Sequence, residues 1–306
     1  MRIVVASNPA ARFGRAGAAG ALVASRIADL GHEVQHVVAV GYRGQLEQTR
    51  FAMTTADVLV VVGGDGVVHL ATNIVGGTSK RLVVVPAGSG SDVAAALGIR
   101  STAAVFDSLE AILASEPDRV DLIRVEHPDG VALAAGIVSI GFDADVNVRS
   151  FALTRVPSRP RYQAAIVATL LRPRHRTFGG GIPIAPRADM RDGRLTAVLA
   201  DEVSYPRFLA TLAKVPHGAH ESDRRLHVEE CESVEIESDE TVLVCADGEI
   251  VGRLPVRCTI MPGALQVLRE RGAPRTASGL RTAAWYGTLS RLLSQARVAR
   301  PHRIAA

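Results

Sequence analysis

Along the first third of the chain, short β-branched runs alternate with stretches whose apolar residues recur every three to four positions. Ile3 to Ala6 form the first run; Ala19, Leu22, Val23, Ile27 and Leu30 then fall on one helical stripe that ends at Gly31. Glycine suits the left-handed position that closes a helix. Val34 to Val40, Val58 to Val62 and Leu82 to Val85 are further runs, separated by helix-like segments at Leu46 to Met53 and Val67 to Ile74. Strands apolar on both faces and alternating with helices predict a parallel, doubly wound sheet. Ligands of such sheets sit beyond the C-terminal strand ends. Here those ends read Ser7-Asn8-Pro9, Gly63-Gly64-Asp65-Gly66 and Pro86 to Asp92.

From about Val120 the texture changes to two-residue alternation, with hairpin signals at Pro128-Asp129-Gly130, Asp192-Gly193 and Asp247-Gly248. This predicts a second, antiparallel β domain, interrupted by one helix from Tyr162 to Leu171. The stretch Glu229 to Glu240 alternates acids with Cys231, Val234 and Ile236, the pattern of a strand with one solvated face. Beyond Leu268 a Gly/Pro/Arg-rich linker leads to a helical stripe of Trp285, Leu289, Leu292, Leu293 and Ala296 beside Arg281, Arg291 and Arg297. The expected organisation is an α/β domain over 1–121, an antiparallel β domain over 122–270, and a basic tail over 271–306.

Composition narrows the class. In 306 residues, 47% are hydrophobic and 22% charged, which suits folded domains. The apolar runs are of strand length, far short of the roughly 20 residues of a transmembrane helix, and the opening MRIVVASNP has no signal-peptide pattern. A cytoplasmic chain is expected, with the basic apolar tail as a candidate peripheral attachment to the inner face of the plasma membrane. The net charge of +4 and pI near 9.3 favour an anionic partner. Aromatic residues are 4% and do not interleave with the arginine clusters, which argues against nucleic acid. Cys231, Cys245 and Cys258 are widely spaced among apolar residues and read as core.

Gly63 to Gly66 follow a buried strand and open a helix, so their backbone amides would face an anion. A carboxylate in such a loop, Asp65, suits a metal, its water or a nucleotide hydroxyl. The second loop, Gly88-Ser89-Gly90-Ser91-Asp92, repeats the theme, although Asp92 is equally an ordinary helix cap. Two phosphate loops with one acid each point to phosphate plus Mg²⁺, because a carboxylate facing phosphate needs a cation between them. His69 reads as a helix-face residue, and Asp247-Gly248 by itself as a hairpin turn.

These segments, in order, resemble the diacylglycerol kinase catalytic-domain family, which includes bacterial lipid kinases and sphingosine kinases. SNPAARFG is similar to its N-P-x-S-G opening, VVVGGDGVVHLATN to its G-G-D-G-T-x-N-E loop, and VVPAGSGSDVAAALGI to its P-x-G-T-x-N-D-x-A-R-x-L-G-I. IGFDADV, RDGRLTAVLA and ADGEIVGRLPVRCTIMPGALQVL resemble its second-domain signatures. The resemblance implies a nucleotide-binding domain over 1–121 and a β-sandwich-like lipid-substrate domain over 122–270, with Asn8, Gly63, Gly64, Asp65, Gly66, Gly88, Ser89 and Asp92 binding ATP and its Mg²⁺. It implies Glu249 as general base with Asp247 beside it, and Asp192 in a second metal site. The activity implied is transfer of the γ-phosphate of ATP to a lipid hydroxyl at a membrane surface, with room for a homodimer. Alternatives are a soluble kinase of the NAD-kinase type and a catalytically degenerate nucleotide-binding regulator. This chain departs from the family pattern at Ala11, Arg12, Val67, His69, Leu70 and Ser91, and the segment from Arg172 to Gly181 is short where the family carries a strand pair.

Overall fold

The computed structural model describes residues 1–8, 15–39, 41–88, 91–140, 185, 188–200, 223–224, 226–239 and 241–270. The expected helix at 162–171, the short segment at 172–181, the IGFDADV signature beyond Ile140, Ser89 and the tail at 271–306 lie outside them.

Four strands, β1 (Arg2–Ser7), β2 (Glu33–Val38), β3 (Val58–Gly63) and β4 (Arg81–Pro86), pair in parallel in the order β2-β1-β3-β4. Alternate residues of each strand face opposite sides. Val4, Ala6, Leu59, Val61, Leu82 and Val84 pack beneath α2 (Tyr42–Ala52), α3 (Asp65–Val75) and α4 (Asp92–Ala96). Ile3, Val5, Val58, Val60, Val83 and Val85 pack on the other face with α1 (Arg15–Asp29), α5 (Thr102–Asp107) and α6 (Leu109–Leu113). Covering both faces leaves no polar position in β3, which is buried throughout, and this explains the unbroken valine run.

The sheet does not stop at β4. The last described strand, β13 (Val256–Val267), pairs in parallel with β4 through Gln266 and Val267 and antiparallel with β5 (Asp118–His127). β6 (Gly130–Ala134) follows β5, and β10 (Ser233–Ile236) pairs with the first part of β13, giving eight strands. β5 therefore runs across the expected boundary at 121/122, and the sheet expected to belong to residues 1–121 takes in residues of the second half. The remaining strands form two small antiparallel sheets: β7 (Val138–Ile140), β11 (Leu243–Ala246) and β12 (Glu249–Arg253) in one, β8 (Leu195–Ala200) and β9 (Leu226–Cys231) in the other. Val125, Ala132, Leu195, Val244, Val256 and Cys258 make a third core between these sheets and the far end of the large one.

The continuous strand expected at Glu229 to Glu240 is two strands, β9 and β10, in different sheets. The turn at Asp247-Gly248 is a true hairpin: both residues have positive φ, 50° and 87°, as a two-residue turn matched to strand twist requires. Asp192-Gly193 is instead a bend leading into β8. None of the three cysteines is in a disulfide, and Cys245 and Cys258 are buried, in agreement with a core role. Burial, with the Cys231 thiol nearby, pushes Cys258 up to about 11.

Candidate active site

The ends of β3 and β4 and the hairpin β11–β12 meet at one place. β3 ends in Gly63-Gly64, and α3 starts at once with Asp65. The Asp65 carboxylate reaches across to the next loop, where Oδ2 accepts the backbone N–H of Asp92 and Oδ1 that of Val93, both at 3.1 Å. The acid of the first loop thus caps the helix opened by the second, and the two loops are one structure. Burial raises the affinity of Asp65 for its proton, partly offset by the two N–H donors. Asp92, crowded by the surrounding chain and then by the Asp65 charge, is pushed up to about 6.

Asp65, His69 and Asn73 are spaced by four and share one face of an otherwise apolar helix. His69 is 3% exposed; its Nδ1 lies 3.6 Å from Oδ2 of Asp247. Asn73 donates to the carbonyl oxygens of His69 and Leu133 and accepts the N–H of Leu133, all within 2.8–2.9 Å, tying α3 to β6. Glu249, the first residue of β12, brings its carboxyl against the glycine loop: a Cβ added at Gly66 would lie 2.7 Å from its Oε1. Glycine at 66 is what permits this approach. Burial lifts the Glu249 carboxyl above the usual range, and attraction to the His69 ring draws it part of the way back. Tyr42, at the start of α2, stands with its ring centroid 6.5 Å from that of His69. Its hydroxyl is held above its ordinary range by burial and by the Glu249 charge.

Asp247 and Asp192 both have backbone partners. Asp247, two residues before Glu249, opens the hairpin turn. Its carboxylate is buried and accepts three backbone N–H groups, of Ala135, Gly136 and Ile137, at 2.7–3.0 Å. It clamps the chain between β6 and β7 to the hairpin. Asp192 is exposed, and its Oδ1 accepts the N–H of Arg194. The buried acid at that junction is Asp121, which accepts the N–H groups of Gly193 and Gly263 at 2.7 Å each. Among the described residues no group of three metal-ligating side chains occurs.

Asn8 follows β1 directly, at the same edge of the sheet. Gly88 follows β4, and Ser89 lies outside the described residues.

Loop sequence, sheet order and hairpin together can be set against known proteins. Residues 2–125 match the model of the diacylglycerol kinase catalytic domain, and residues 174–269 match that of the YegS C-terminal NAD kinase beta sandwich-like domain. Residues 2–125 carry a diacylglycerol kinase catalytic domain. A diacylglycerol kinase of Mycobacterium tuberculosis (strain CDC 1551 / Oshkosh) is 28% identical over 301 residues, spanning 88% of this chain and 96% of the relative. One of Staphylococcus carnosus (strain TM300) is 21% identical over 76% of this chain and 82% of its own length. The crystal structure of a diacylglycerol kinase from Bacillus anthracis str. Sterne shares the fold, with a TM-score of 0.61 at 14% identity over 89% of this chain and 97% of that one. Another from the same organism gives 0.66 at 16% identity, over 89% and 98%.

These matches agree with the mixed α/β sheet followed by antiparallel strands. Among the described residues no helix is long and apolar enough to cross a membrane. Sequence reasoning passed over Asn73 and Asp121 and gave His69 no partner. For the first and last the signal was present: polar residues at spacing four within the apolar Val67 to Val75 mark a face turned toward a partner.

Proposed function

We propose that this protein transfers the γ-phosphate of ATP to the hydroxyl of a lipid, with Glu249 accepting the hydroxyl proton. The observation that carries the reading is the Glu249 carboxyl seated on Gly66, at the phosphate-loop end of α3. A helix start rich in glycine offers backbone N–H groups and a positive dipole end to phosphate oxygens. A carboxyl whose proton affinity is raised by burial is a better base near neutral pH than a solvated one. An acceptor hydroxyl placed between the two meets both requirements of phosphoryl transfer, charge stabilisation and a route for the proton.

The residues fit a divalent cation. Asp65 and Asp92 are adjacent carboxylates, each raised by burial and neither neutralised by the other; a cation relieves this repulsion. Asp65 and Asp92 would hold Mg²⁺, which supplies neutralisation of phosphate charge when bound. The half-exposed ring of Tyr42 and the exposed Ile137, whose carbonyl accepts the N–H of Asp247, give this rim the apolar character that a lipid acceptor favours.

Radiolabelled ATP offered with a panel of dispersed lipids, and with NAD as a soluble acceptor, tests the reading. Glu249→Gln keeps the shape and removes the base; turnover on the accepted lipid should fall about 10²- to 10⁴-fold while ATP affinity holds. Equal turnover by the two proteins would place the base elsewhere, and label appearing in NAD instead of lipid would overturn the acceptor class.

A further inference from the structure

The transfer proposed above uses the GGDG turn and Glu249 but leaves His69 without a task. This histidine is 3% exposed, and its Nδ1 has no hydrogen-bond partner. Buried polar atoms are rarely left so without a reason.

Its two neighbours specify which nitrogen carries the ring proton. Nδ1 faces Oδ2 of Asp247 at 3.6 Å, between side chains 4% and 1% exposed, and a carboxylate oxygen can only accept. Nε2 stands 3.3 Å from Nδ2 of Asn73. That amide cannot be turned over, because Nδ2 donates to two carbonyl oxygens while Oδ1 accepts the N–H of Leu133. An amide nitrogen cannot accept a hydrogen bond, so a proton on Nε2 would face a donor, and Nε2 is the bare nitrogen. Both sides of the ring ask for the same tautomer, with its hydrogen on Nδ1 directed at Asp247.

At 3.6 Å this contact is longer than a hydrogen bond, and a small approach of the hairpin to α3 closes it. Three donors already hold Asp247, all from residues 135–137. His69 would be a fourth, and it belongs to the helix that carries Asp65. We propose that His69 is a positioning residue for Glu249. Through Nδ1–H it pins the Asp247-Gly248 turn, and so the glutamate two residues on, against the helix that opens at the GGDG turn. Its catalytic consequence rests on the function proposed above; the tautomer and the clamp do not.

The test therefore has two arms. In ¹⁵N-histidine-labelled protein, the His69 ring, assigned by its loss in His69→Asn, should show the Nδ1–H tautomer by two-dimensional NMR. The Nε2–H pattern would overturn the proposal. In assays with magnesium ATP and dispersed diacylglycerol, His69→Leu should lower kcat about 10- to 100-fold, the loss of one hydrogen bond to a buried charge. KM for ATP should stay within about two-fold, as expected of a residue that does not touch nucleotide. His69→Asn, whose Nδ2 can stand where Nδ1 stood, should recover kcat to within about five-fold, and His69→Gln should not. Equal kcat for the Asn and Gln variants overturns the proposal even if the Leu variant fails to fold. If the wild type phosphorylates no lipid, the function proposed above fails. Amide exchange at residues 135–137 then decides the clamp: faster in His69→Leu and restored in His69→Asn supports it, unchanged in both overturns it.

Discussion

Acids at this site do different things because their surroundings differ. Asp247 spends its charge on three N–H donors, Asp65 on two, and Asp92 faces Asp65. For Asp92 the consequence is a pH dependence of stability whose sign can be worked out. Its folded-state value, about 6, lies above the ordinary aspartate value of 3.8, so the folded protein binds this proton more tightly than the unfolded chain. That contribution is fully present below the unfolded value and is lost as pH rises toward the folded one. In magnesium-free buffer, Asp92→Asn should remove this loss and raise the melting temperature at pH 7.5 by about 1–3 °C. At pH 3.5 it should change little, and thermal scans at both values check it. Asp65 and Glu249 could be named from sequence because short motifs carry them. The clamp of Asp247 could not. An Asp-Gly pair announces a turn, but its partners Ala135, Gly136 and Ile137 lie over a hundred residues earlier, and nothing local to either segment records the pairing.

Between elements, the joints are made by buried side chains that satisfy backbone groups. Residues 262–264 of β13 bulge out opposite Asp121, between the pairs Met261↔Leu122 and Leu265↔Val120. Gly263 takes φ 59° there, a conformation few residues other than glycine tolerate, and Asp121 accepts its N–H together with that of Gly193. Asp121→Asn turns one oxygen into an amide that meets an N–H head on. It should cost about 1–3 kcal/mol, measured as a lower denaturant midpoint at unchanged slope. If the midpoint does not move, the junction is held by packing alone. The strands β1, β3 and β4 were legible because burial on both faces writes uninterrupted valine and isoleucine. The helices α5 and α6 were not, since they are five or six residues long and held by the sheet beneath rather than by a periodic stripe of their own. A bulge of Pro262-Gly263-Ala264 is readable as a break in a strand, but not as the place where an aspartate from another strand docks.

At the scale of the molecule, the two halves recognised by separate family models share a sheet. The catalytic-domain match ends at 125, yet β4 and β5 become neighbours only through β13. A fragment of residues 1–127 should accordingly lack cooperative unfolding and bind hydrophobic dyes, whereas residues 1–270 should melt in a single transition. Cooperative melting of the shorter piece would show that β13 is dispensable. The two-domain reading of the sequence was sound for fold class and silent on this sharing, because the hydrogen-bond partners of a strand edge leave no trace in its own residues.

That placement of β13 also bears on how the protein is made. During translation the slot between β4 and β5 stays open until residues 256–267 leave the ribosome, an interval on the order of ten seconds at usual elongation rates. Throughout it the nascent chain carries two unpaired edges beside a valine-rich core, the kind of surface that pairs with other chains. Chains cut short anywhere before Val256 keep that surface for good, so premature termination should yield aggregates or substrates for degradation rather than a partly active nucleotide-binding fragment.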